Sequence, residues 1–117
     1  MAMIRPSERD DLTLGAKLFR GLGDPMRLAI IELLAGGERR VTDLVAELQS
    51  SQPNVSGHLA CLKECGLVFD RPQGRAVLYR LAHPELFELL RSAEELLEAT
   101  GFEIALCPNY EEAEVPE

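Results

Sequence analysis

At 117 residues the chain has room for one domain, and an apolar content of 46% excludes wholesale disorder. The net charge of −8 argues against a nucleic-acid partner until its distribution is read: residues 1–51 carry −1, residues 52–80 carry +2 and residues 81–117 carry −9. Phosphate binding answers to the local field, so the basic middle window, with Lys63, Arg71, Arg75 and Arg80 against Glu64 and Asp70, keeps that partner open.

The N-terminus, Met1 to Pro6, lacks an apolar signal region, and no run of about 18 apolar residues occurs anywhere. A soluble, cytoplasmic protein with no membrane partner is expected. Leu12, Leu14, Leu18, Phe19 and Leu22 form a rough helical stripe ended by Gly21 and Gly23. Asp24 N-caps a second helix with Pro25 at its first position, and Met26, Ile30, Ile31, Leu33 and Leu34 follow before Gly36 and Gly37 stop it. A short third helix, capped by Thr42, turns Leu44, Val45 and Leu48 inward. After the break at Gln49-Ser50-Ser51, Ser51 caps a fourth helix from Gln52 to Cys65, closed by Gly66. Leu67-Val68-Phe69 and Ala76 to Leu81 have strand composition and flank a basic turn, Arg71 to Arg75, which predicts a hairpin. A last helix runs from about Pro84 to Thr100, with Leu86, Leu89, Leu90, Ala93, Leu96 and Leu97 apolar.

Helix, short helix, tight turn, helix and two-stranded hairpin is the order of a winged helix-turn-helix, mainly α with a small β-hairpin. There the second helix of the motif enters the DNA major groove and the hairpin touches the backbone beside it. Ser51, Gln52, Asn54, Ser56 and Gly57 open the reading helix with short groups suited to base edges and phosphates, although ordinary N-terminal turn residues read the same way. Lys63, Arg71 and Arg75 add charge, and the position of Arg71 and Arg75 on a hairpin directly after the reading helix favours DNA over plain solvated loop cations.

Three cysteines is an odd count, which points to free thiols rather than a closed disulfide framework. Cys61 and Cys65 stand four apart on the reading helix, so their β-carbons lie about 5–6 Å apart on one face. Either alone reads equally as a small buried apolar residue. Cys107 has no such reading, because the acidic tail around it, taken as mobile, offers no core to fill. Three thiolates make a soft donor set for cadmium, lead, mercury, arsenite or zinc. With Gln52 at zero and about 100° per residue, Ser56 and Lys63 fall near 40° and 20°. Cys61 and Cys65 fall near 180° and 220°, away from the groove-reading face and beside the apolar one.

The segments Gly23 to Leu28, Ser51 to Leu59, Cys65 to Val68 and Gly74 to Tyr79, in this order, resemble the ArsR/SmtB family of metal-responsive repressors. The resemblance implies a homodimer, joined through the first and last helices, that binds an inverted-repeat operator in double-stranded DNA and leaves it when an inducer binds. Of the family's metal sites, the cysteine motif of the third helix is absent, since that stretch reads Arg40-Val41-Thr42-Asp43-Leu44-Val45. The last-helix zinc site lacks its second histidine, with only His83 at the helix start. Cys61, Cys65 and Cys107 match the arrangement of cadmium- and lead-sensing members, which makes those two ions the first expectation for the inducer.

The expected organisation is a DNA-binding and dimerisation domain over 1–100 and an acidic tail over 101–117 that carries one metal-ligand cysteine. Two alternatives stand beside it. A redox or persulfide sensor of the same fold would pair Cys61 or Cys65 with Cys107. A cysteine enzyme would need a histidine base, and His58, three residues before Cys61, has no orienting partner visible in the sequence; no enzyme is expected.

Overall fold

The computed structural model describes residues 6–101 together with Leu106. The chain runs α1 (Pro6–Leu22), α2 (Pro25–Ala35), β1 (Arg39–Arg40), α3 (Val41–Leu48), α4 (Gln52–Glu64), β2 (Val68–Gln73), β3 (Ala76–Leu81) and α5 (Glu85–Ala99). This is the expected winged helix-turn-helix, with α3 and α4 as the motif and β2–β3 as the wing. No described helix is long and apolar enough to cross a membrane.

Local chemistry sets the helix ends. Asp24 accepts from the Arg27 backbone N–H at 3.0 Å and Pro25 follows it, which starts α2 as expected. Ser51 accepts from Asn54 N–H at 3.2 Å and starts α4, while the Asn54 side chain donates back to Ser50 Oγ at 2.9 Å. Between α3 and α4 the chain reverses through Gln49 in the left-handed conformation, φ 52°. The far end of α4 closes in a Schellman turn: Gly66 N–H reaches Lys63 O, and Leu67 N–H reaches Leu62 O at 3.0 Å. Gly66 has φ +78°, where a Cβ is strained.

Three expectations change. Arg40, not Thr42, precedes α3, and its backbone N–H is taken by Asp43 Oδ2 at 3.1 Å, three residues on. Cys65 is the cap of α4 rather than its last helical residue. The sheet has three strands, because Arg39 and Arg40 pair antiparallel with Tyr79 and Leu78 of β3, in the order β1-β3-β2. Two arginines carry no strand signature, so this pairing comes from tertiary placement.

The core is one cluster. Ile30, Ile31 and Leu34 of α2, Leu44 of α3, Val55, Leu59 and Leu62 of α4, Leu67 and Val68 of the wing, and Leu86 and Leu90 of α5 bury their side chains together. Val55, Leu59 and Leu62 are completely enclosed, which fixes the roll of α4 about its axis. Among the described residues, Leu12, Leu14 and Phe19 on α1 and Leu96 on α5 are more than half exposed, and Val77 on β3 is exposed to a lesser degree.

Candidate functional site

With its apolar stripe buried, α4 turns its first residues outward. Ser51, Gln52, Asn54 and Gly57 are exposed and Ser56 is half-buried. Gln52 opens onto a cleft shared with Arg40 and Thr42 of the α3 start and with Arg75 of the wing. Arg75 forms no ion pair among the described residues, whereas the other two expected cations are engaged inside the chain. Lys63 Nζ lies 3.0 Å from Asp70 Oδ1. Arg71 makes a two-pronged contact with Glu38, Nε to Oε2 and Nη2 to Oε1, both 2.9 Å. That hydrogen bond and charge raise the guanidinium pKa and hold the Glu38 carboxyl below its ordinary value.

The two helical thiols lie elsewhere on α4, half-buried, in a cleft of about 270 Å³ whose far wall is Lys17, Arg20 and Gly21 of α1. Cys65 Sγ approaches α1 so closely that a Cβ on Gly21 would stand 2.9 Å from the sulfur. It also lies 3.9 Å from the Lys17 carbonyl, a long thiol hydrogen bond. Burial pushes the Cys65 thiol pKa up, and the neighbouring Cys61 thiol adds to that, while Lys17 opposes it. The thiols therefore sit at the seam between α4 and α1, away from the exposed first turn of α4. Cys107, the expected third ligand, lies outside the described residues; among those residues no group of three His, Cys, Asp or Glu side chains could hold a metal ion. Leu106 packs against the core cluster and its N–H donates to the Glu94 carboxylate of α5, so at this residue the tail is docked.

One network escaped the sequence reading. Arg27 of α2 donates to Gly21 O at 2.7 Å and Arg20 O at 3.0 Å, two carbonyls in the last turn of α1, and to His58 Nδ1 at 3.2 Å on α4. A donating guanidinium makes His58 Nδ1 an acceptor, which assigns the ring proton to Nε2. Asp24 Oδ2, at 3.8 Å, is beyond hydrogen-bond reach. His58 thus has an interior partner after all, and its role is to join α4 to the α1–α2 corner. His83 is exposed at the start of α5.

Comparison with known proteins agrees with this fold. Residues 24–69, from the α2 cap through α4 into the wing, match the family model described as bacterial regulatory protein, arsR family. A probable mercury resistance operon repressor from Streptomyces lividans is 34% identical over 102 residues, 87% of this chain and 80% of that protein. The arsenical resistance operon repressor of Escherichia coli is 50% identical over 70 residues, 59% of this chain and 60% of that one. Among solved structures, the homodimeric winged helix-turn-helix DNA-binding domain Mb0332 from Mycobacterium bovis superposes with a TM-score of 0.74 at 28% identity, covering 88% of this chain and 94% of the other. The chain belongs to the arsR family of bacterial regulatory proteins, and it is a regulator rather than an enzyme.

Proposed function

We propose that the chain is a repressor that binds operator DNA as a homodimer and dissociates when a soft metal ion joins Cys61, Cys65 and Cys107. The observation that carries this reading is the thiol pair at the seam between α4 and α1. Two sulfurs one helical turn apart can share an ion, and their cleft is walled by the helix whose exposed Leu12, Leu14 and Phe19 suit a contact with a second copy. An ion entering there pushes on the reading helix and on that contact together. The described residues provide two thiolates, so a third donor must come from Cys107 of the same or the second copy. An all-sulfur site selects cadmium, lead, mercury or arsenite, with zinc also accommodated. The names of the mercury and arsenical repressors lend support to a thiophilic inducer. Ser51, Gln52, Asn54, Ser56 and Gly57, with the wing, face the DNA in this reading.

A hundredfold loss of operator affinity corresponds to a coupling of about 2.7 kcal/mol between the two sites. The test is a mobility shift on the DNA upstream of the chain's own operon, repeated with each metal. Metal-free protein should retard that DNA and cadmium or lead should release it, whereas C61S, C65S and C107S should stay bound. No shift by the metal-free protein, or full release of C65S, refutes the proposal. A second reading keeps the fold and makes the thiols a redox sensor, with Cys61 or Cys65 joined to Cys107 in a disulfide while a peroxide-class oxidant takes up the two electrons and two protons. Sulfur-to-cadmium charge-transfer absorbance from the reduced protein separates the two.

A further inference from the structure

The cations around the reading helix and wing divide sharply. Arg39 is paired with Glu47 at 3.3 Å, Lys63 with Asp70 and Arg71 with Glu38, and Arg80 lies over the Phe69 ring at 4.3 Å. The guanidinium groups of Arg40 and Arg75 have no acidic partner among the described residues, and both residues line one open cleft of about 390 Å³ with Thr42 and Gln52. Arg40 is held by its backbone: its N–H is bound to Asp43 and its strand register sets it opposite Leu78. Its guanidinium is left over, exposed, beside an α3 start with no side-chain cap on its N–H groups.

A cleft with two planar, unpaired guanidinium forks is chemically matched to the oxygens of a phosphate. Its location names the source. One wall carries Gln52, which begins the groove-reading helix, and the other is the wing, so the strand of duplex DNA that separates the two must pass between them. We propose that Arg40 and Arg75 together clamp a backbone phosphate of duplex DNA in this cleft, and that the paired Lys63 and Arg71 make no phosphate contact. This rests on the DNA-binding reading above and adds a residue, Arg40, that lies outside both the reading helix and the wing.

Phosphate contacts appear in the salt dependence of binding, and each one contributes about 0.9 to the slope of log K against log salt. The measurement is fluorescence anisotropy of a labelled mixed-sequence duplex titrated with the full chain across a salt series. The double variant R40Q/R75Q should have a slope shallower by about 0.9 per bound protomer. R40K/R75K should keep the slope while losing affinity, because charge survives and the fork does not. K63Q/D70N and E38Q/R71Q, which neutralise each ion pair whole, should leave the slope unchanged. A wild-type slope in R40Q/R75Q, with unchanged thermal melting as the control for folding, overturns the clamp alone. A slope lost in K63Q/D70N or E38Q/R71Q overturns the division of the cations. Failure of the wild type to bind duplex at any salt overturns the DNA-binding reading and the clamp with it.

Discussion

Gly21 is the position where the thiol seam can be probed with a single methyl group. The Cβ of Gly21→Ala would stand 2.9 Å from Cys65 Sγ and 3.7 Å from Cys65 Cβ. Comfortable contact between heavy atoms lies at about 3.5–4.0 Å, so the sulfur intrudes by about 0.6–1.1 Å and the Cβ does not. Overpacking of this kind costs about 1–3 kcal/mol. Opposing it, alanine gains up to about 1 kcal/mol over glycine inside a helix. In the wild-type background G21A should therefore destabilise by about 0–3 kcal/mol. Removing the sulfur with C65A leaves only the comfortable contact, and there the same change should stabilise by up to about 1 kcal/mol. The double-mutant cycle thus predicts a coupling of about 1–3 kcal/mol, read as a difference of about 4–8 °C in Tm per kcal/mol at fixed protein concentration. Equal effects of G21A in both backgrounds would refute the close approach of α1 to the thiol.

Two further outcomes follow from the same region. Arg27→Ala removes three hydrogen bonds from a half-buried guanidinium and leaves the end of α1 unanchored, so a loss of about 2–3 kcal/mol in chemical denaturation is expected; a change under about 0.5 kcal/mol would count the network as idle. The Cys65 thiol pKa is raised, chiefly by burial, so the folded state holds this proton more tightly than the unfolded chain does. Its contribution to stability is complete below the unfolded thiol's pKa and is lost as pH rises through the higher folded value. Melting temperature should accordingly fall on the alkaline side, and C65S should remove that part of the fall, separating it from Tyr79, whose hydroxyl is also shifted up by burial.

Features carried by near neighbours in the chain were legible in the sequence. The caps Asp24 and Ser51, the closing Gly66, the apolar periodicity of α2, α4 and α5 and the four-residue spacing of Cys61 and Cys65 are all local. The missing features join distant segments. Arg71 meets Glu38 across 33 residues, Arg27 meets His58 across 31 and Cys65 meets Lys17 across 48. Charge counting therefore weighed Lys63 and Arg71 without sight of Asp70 and Glu38, and it passed over Arg40, whose guanidinium has no such partner among the described residues. The helical wheel did turn the thiols away from the polar face that begins at Gln52, because three enclosed side chains on α4 fix that geometry; what stands opposite them, the glycine of α1, is a fact of packing.

The two-residue strand β1 has a mechanical consequence. By pairing with β3 it fastens the wing to the segment that leads straight into α3, and the Glu38–Arg71 contact rivets the same junction from the side. Wing, α3 and the helix that follows are thereby tied at two junctions, so on the proposed reading they move together as one stamp. On the proposed reading, a ligand that loosens the protein from DNA has little to bend inside a single copy. It works instead by resetting the distance and tilt between two stamps, so that both can no longer print on the same face of the duplex.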